Sequence, residues 1–327
     1  MTSAKNKDVA YFIFDVESVS DGDLIRRVRY TDEVTETEAI ARYRAELVAA
    51  QGHDFIPYTY QIPVSVVIAK VRPDFTLLDI VALDEPKFRS HVITENFWRG
   101  WEAYNQPTFV SFNGRGFDIP LMELAAFKYG VAAPAWFNDR VRAYEQPRNR
   151  YNTGAHLDLQ DLMVNYGASR FNGGLNLAAT VLNKPGKIDV KGDMVQDMFN
   201  EGKLEEINEY CRCDVLDTYF VFLRTRVLTG RLTLERETEI VAETRKWLEE
   251  RADDSKGYAT YLEHWDEWTN PWATPVEKKS GTDTAPTDES ASTESSFANQ
   301  PSASSDADSD SGIQSKTPTA DSPQTTG

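Results

Sequence analysis

Residues 11–18 read YFIFDVES: four apolar or aromatic side chains, an acid, one spacer and a second acid. Residues 10–15 have the composition of a buried strand. A strand alternates its faces with period two, so Asp15 and Glu17 point the same way. Two like charges at the end of a buried strand repel. The arrangement costs stability unless a cation or a hydrogen-bond network joins them.

Outward from that strand, residues 31–50 place Val34, Ala39, Ile40, Tyr43, Leu47 and Val48 among charges, which predicts an amphipathic helix. VSVVIAKV (64–71) and FTLLDIVAL (75–83), separated by Pro-Asp, predict a hairpin. A helix is expected over 86–104, a strand over 107–112 and a helix over 117–130. AHLDL (155–159) reads as a short strand or an extended entry to a helix, where Asp158 suits an N-cap or a second-rank acid. Beyond Leu175 the pattern is helical to about residue 268, and no internal repeat interrupts it. Strands first and packing helices after them predict an α/β domain with a mixed sheet, flanking helices and a helical C-terminal extension. The expected division is 9–228 for the sheet domain, 229–275 for the extension and 276–327 for a tail. That tail is Ser, Thr, Asp, Ala and Pro with few aliphatic side chains, so it is expected to be disordered, as a solubilising segment or a docking one.

The composition, 40% hydrophobic and 27% charged, is that of a soluble globular protein. No run approaches roughly eighteen uninterrupted apolar residues, so no membrane span is expected. The polar start, MTSAKNKD, does not read as a secretory leader, and a reducing, cytoplasmic setting is expected. Cys211 and Cys213 cannot complete a zinc site and face apart at i, i+2 on a helix, which leaves them as small buried residues. The net charge is −17, and the segment from Glu277 onward carries nine acids against three lysines. The body is acidic too, which excludes high-affinity duplex binding through a broad basic face. A protein that grips a short strand locally, through a metal, needs far less positive charge.

Two further stretches carry candidate chemistry. In SFNGRGFDIPLM (111–122) a strand ends at Phe112, Asn113 to Gly116 form a turn, and Asp118 opens a helix with Pro120 just inside it. Read alone, Asp118 also fits an acid that complements the helix dipole. In YCRCDVLDTYFVFL (210–223), within a helix from about Lys203, Tyr210 and Asp214 stand one turn apart on one face. Read alone, Asp214 also fits a solvent-facing position.

Strand-Asp-x-Glu, strand-turn-Asp and helix-Tyr-x-x-x-Asp, in that order, resemble the three motifs of the DEDD (DnaQ-like) 3′–5′ exonucleases on the ribonuclease H-like fold. FDVES, NGRGFDIP and YCRCD carry the resemblance. Tyr210, four residues before Asp214, matches the tyrosine subtype. The histidine subtype would need a histidine at 209, where this chain has glutamate, and His53, His91, His156 and His264 are scattered elsewhere. FNGRGFDIPLM, HLDL and YCRCDV look most like the proofreading domain of family-B DNA polymerases, over roughly residues 9–228. With no polymerase domain following, the chain reads as a stand-alone exonuclease of that kind.

The resemblance implies two Mg²⁺ or Mn²⁺ ions held by Asp15, Glu17, Asp118 and Asp214, with Asp15 bridging, Glu17 and Asp214 completing one site and Asp118 serving the other largely through water. Hard cations prefer such oxygen ligands, and a pair about 3.5–4 Å apart clamps a scissile phosphate. It also implies that Tyr210 orients the attacking water. The implied partner is a nucleic acid with a 3′ end, single-stranded DNA first, cut to nucleoside 5′-monophosphates. Asn113 and Phe117 would flank the terminal nucleotide, and the backbone at Val16 to Ser18 would line its pocket. Arg140, Arg142, Arg148 and Arg150, with Tyr144 and Tyr151, form either a strand-contacting loop or a solvated one. Trp265, Trp268 and Trp272 are spaced as a packed helix face.

Three other readings remain. A ribonuclease D-like exoribonuclease uses the same tyrosine arrangement, and the lack of a helical RNA-binding module after 275 leans towards DNA. A non-catalytic scaffold of the same fold is expected to have lost a carboxylate, and here none is missing. For a dehalogenase-type phosphatase the chain lacks the paired acidic motif after another strand, and no P-loop occurs.

Overall fold

The computed structural model describes residues 8–186 and 194–273. The expected disordered segment, 276–327, lies outside the described residues.

The chain runs β1 (Tyr11–Ser20), α1 (Gly22–Arg29), α2 (Glu36–Gln51), β2 (Gln61–Val71), β3 (Leu77–Ala82), α3 (Ser90–Ala103), β4 (Thr108–Ser111) and α4 (Asp118–Tyr129). It continues through β5 (His156–Asp158), α5 (Leu159–Met163), α6 (Gly174–Thr180), α7 (Val195–Asn200), α8 (Leu204–Leu228), α9 (Leu234–Glu249) and α10 (Lys256–Glu263). The five strands form one sheet in the order β3-β2-β1-β4-β5. β1 pairs antiparallel with β2 and parallel with β4, while β4 and β5 are parallel. This mixed sheet with helices on both faces is a ribonuclease H-like α/β fold.

Alternation along β1 divides the core. Phe12, Phe14 and Val16 enter an aromatic layer under α3 and α4 with Phe97, Trp98, Trp101, Phe109 and Trp136. Ile13 points the other way, into a second layer with Val67, Val110 and the apolar residues of α8. α8 is buried along most of its 25 residues, as a helix apolar on most sides must be. It packs on β1 and β2, with α9 and α10 packed on its other side.

Several boundaries differ from the sequence reading, each for a physical reason. β1 does not stop at Asp15; it runs to Ser20 because β2 accompanies it as far as Gln61. The acids therefore sit within the strand. They lie beyond its pairing with β4, which covers only Tyr11–Ile13, so the sheet has already opened on that side. The helix expected from 31 begins at Glu36, where Thr35 and Glu38 form a reciprocal capping box. α1, only 8 residues long, has no counterpart in the sequence reading; Asp21 caps it by accepting from the Leu24 N–H. The tryptophans do not share a helix face, since α10 ends at Glu263. Trp265 instead meets Phe220 edge-on at 5.1 Å with the Lys184 ammonium 3.9 Å above its ring, and Trp268 stacks under the Arg224 guanidinium.

Candidate active site

β1, the β4–α4 turn and α8 bring four carboxylates and a phenol together. Asp15 stands opposite Val67 and Glu17 opposite Ser65, both on the face turned to α8. The β1–β2 register slips between Glu17 and Ser18, which increases the local twist where the acids emerge. Glu17, Asp118 and Asp214 are buried and Asp15 is partly so.

The turn that carries Asp118 is built around small residues. A Cβ on Gly114 would fall 2.3 Å from the Ser111 hydroxyl oxygen and 2.9 Å from Asp118 Oδ2, so only glycine fits. Asn113 takes a left-handed φ of 64°, a conformation that asparagine tolerates. Asp158 fixes the turn from outside. Its carboxylate accepts N–H bonds from Asn113 (3.0 Å) and Arg115 (2.8 Å) while capping α5 through Gln160 and Asp161. Arg115 then reaches the His156 carbonyl at 2.7 Å and pairs with Asp161 at 3.1 Å. Asp158 is thus the N-cap that the sequence suggested, and also a strut for the turn.

Electrostatics record the convergence. Burial pushes the Asp118 carboxyl well above the ordinary carboxylate range, and the negative charges of Asp15, Asp158 and Asp214 push it further. The Tyr210 phenol is raised by burial, then by Asp214, Glu17 and Asp15, and it hydrogen-bonds Asp214. It is therefore a neutral O–H at any physiological pH. His156 is fully buried and held neutral, with Nε2 2.7 Å from the Ser111 hydroxyl. It belongs to the support of the turn.

One contact escaped the sequence reading. Cys211 is buried as expected, but its thiol donates to the Asp15 carbonyl at 3.4 Å and lies 3.7 Å from Asp15 Oδ2. Asp15, Glu17 and Cys211 offer ligand atoms within 4.8 Å of one another. Burial and the two acids push the thiol pKa well up, so it stays protonated. The donors left for a cation are oxygens, which suits a hard divalent ion. Helical spacing could have flagged Cys211, since it stands three residues before Asp214 and one after Tyr210.

Other predicted residues fall at the margins. The Val16 side chain is in the aromatic core. Ser18 donates to Gln61 Oε1 at 2.5 Å. Phe117 immediately precedes α4, its ring 5.9 Å from that of Phe55 and 6.5 Å from that of Tyr58. In the arginine-rich loop, Arg148 is engaged by both oxygens of Glu123 (2.7 and 2.8 Å) and Arg142 bonds the Tyr144 hydroxyl. Glu209, where the histidine subtype has its base, accepts from the Gly257 N–H and the Ser255 hydroxyl and pairs with Arg212, so it anchors α10.

A family model described as a predicted 3′–5′ exonuclease related to the exonuclease domain of PolB matches residues 53–272. The chain belongs to that family. Its members' description makes the chain a nuclease with a nucleic-acid substrate, and the acidic cluster suits the divalent metals such domains use. The match begins after β1, so Asp15 and Glu17 enter the site through geometry rather than through this comparison. It extends through α10. Comparison with curated proteins found no match. Among the described residues, no helix is long and apolar enough to cross a membrane.

Proposed function

We propose that the chain is a metal-dependent 3′–5′ exonuclease that removes nucleoside 5′-monophosphates from single-stranded DNA, with Asp15, Glu17, Asp118 and Asp214 as ligands of two Mg²⁺ or Mn²⁺ ions. One observation carries the reading. Acids from three distant elements face each other in a buried place, and repulsion raises Asp118 beyond what burial alone does. Such a cluster is stable in its charged form only with cations present.

When bound, the ions supply Lewis-acid stabilisation of the attacking and leaving oxygens and a lowered pKa for the attacking water. Tyr210 is kept neutral by its acidic neighbours, so its hydroxyl orients that water by hydrogen bonding and takes no proton from it. Cys211 holds the Asp15 backbone, and Asp158 holds the turn that presents Asp118. Asn113 and Phe117 flank the terminal nucleotide at the mouth of that turn, with the Val16 to Ser18 backbone as the pocket's other wall.

The test is a degradation ladder on 5′-labelled DNA and RNA with and without Mn²⁺. Wild type is expected to shorten DNA one nucleotide at a time from the 3′ end only with metal, and Asp15→Ala to lose at least about a hundredfold in rate. Intact substrates with wild type and metal, or an active Asp15→Ala, would sink the proposal. A ladder on RNA alone would replace DNA by RNA as substrate.

A further inference from the structure

A net charge of −17 leaves the grip on a polyanion to be explained. The cleft of about 860 Å³ beside Tyr210 does not supply it, because its wall is acid-rich, with Glu205, Glu206, Asp253 and Asp254 among its residues. The arginine loop contributes little net charge where Arg148 is paired with Glu123. A second source of affinity for single strands is base stacking, which tolerates any sequence and needs no positive charge.

The segment 53–60 is shaped for that task. α2 ends at Gly52 in the left-handed conformation, and the chain then crosses towards β2. Ile56 anchors it, 3% exposed in a cluster with Ile25, Ala39, Tyr43 and Leu47. Phe55, next to it, is turned outward and 57% exposed. Leaving a phenyl ring outside forgoes the stabilisation of burying it. An exposed phenylalanine alone is unremarkable. This one, however, meets Phe117, the residue that immediately precedes Asp118, at 5.9 Å with the ring planes 50° apart. It is also tethered: Gln61 Nε2 donates to the Ile56 carbonyl at 2.5 Å while Gln61 Oε1 accepts from Ser18. One side chain thus couples the β1 wall of the site to the loop that carries Phe55.

We propose that Phe55 is a stacking residue for the base immediately upstream of the 3′-terminal nucleotide, set beside Phe117 and held in place by Gln61. The 50° between the rings means that the two cannot extend one continuous stack. They address two successive bases splayed apart, which unstacks the strand end before the terminal phosphodiester reaches the acids. Gln61 is a positioning residue. The inference rests on the exonuclease reading for the location of the strand end, and its test is separable from that reading.

The experiment uses the full chain in Mn²⁺ and a single-stranded oligonucleotide whose last linkages are phosphorothioates, with 2-aminopurine at the penultimate or the terminal position. Wild type and Phe55→Trp are expected to quench the penultimate probe. Phe55→Ala is expected to bind about tenfold more weakly, the equivalent of about 1.4 kcal/mol, and to lose the penultimate quench while keeping the terminal one. Unaltered affinity and penultimate quenching in Phe55→Ala would overturn the inference, as would a wild type that quenches neither probe. A protein that quenches as expected but leaves an unmodified strand intact keeps this inference and loses the exonuclease reading.

Discussion

Asp118 follows β4 and Asp158 ends the neighbouring parallel strand, β5, and both are buried. Their surroundings differ completely. Asp158 faces four backbone N–H groups, two in the turn before α4 and two at the start of α5, which oppose the effect of its burial. Asp118 faces Asp15, Asp158 and Asp214, which add to the effect of its burial. A carboxylate surrounded by amides is part of the frame. A carboxylate surrounded by carboxylates stores repulsion, which a bound cation would relieve, and the frame holds it in that position.

Breaking the frame should have the larger effect on stability. Asp158→Ala removes a helix cap and strands the Asn113 and Arg115 N–H groups, so urea denaturation should show a loss of about 2–4 kcal/mol. A loss below about 0.5 kcal/mol would make Asp158 a bystander. Relieving the repulsion should have the opposite sign. Without metal, Asp118→Asn is expected to raise stability by about 1–2 kcal/mol. With Mn²⁺ at a hundred times its dissociation constant, wild type should gain about 2.7 kcal/mol, and the variant much less. Equal metal-induced shifts in melting temperature for the two proteins would remove Asp118 from the proposed metal site.

A third buried acid sharpens the comparison at smaller scale. Asp217, one turn beyond Asp214 on α8, is pushed up to about 7 by burial, against hydrogen bonds from Tyr261 and the Gly186 N–H and the nearby Lys184 charge. Its folded-state pKa lies above the unfolded value of 3.8. Its contribution to stability is therefore full below about pH 4 and is lost as pH rises through 7. Between pH 6 and pH 8 this amounts to about 1 kcal/mol. Asp217→Asn should flatten that part of the stability–pH curve, and an unchanged slope would show that Asp217 does not titrate there.

The sheet was legible because the alternation of β1 and the β2–β3 hairpin is local, and the acids were legible because their spacing places them on defined faces. What escaped depends on distant partners. Nothing within residues 11–18 shows that β4 leaves β1 after Ile13, so Asp15 and Glu17 read as a strand end although they lie within the strand. Cys211 looked like a small core residue because its contact with Asp15 joins segments 196 residues apart. Phe55 lies in a stretch without periodicity and takes its meaning from Phe117. Arg148 read as part of a strand-contacting or solvated loop, because Glu123, its partner, lies 25 residues upstream. The tryptophan spacing matched a helix that in fact ends at Glu263.

The span between Asp15 and α8 also bears on how the protein is made. Asp15 and Glu17 are synthesised early, whereas Tyr210 and Asp214 arrive almost two hundred residues later, on the helix that covers the face of the sheet where the two acids emerge. At translation rates of about 5–20 residues per second, the growing chain spends on the order of ten seconds or more with only part of the acidic cluster. The same docking event closes the hydrophobic core and assembles the acidic cluster, so core and cluster form together.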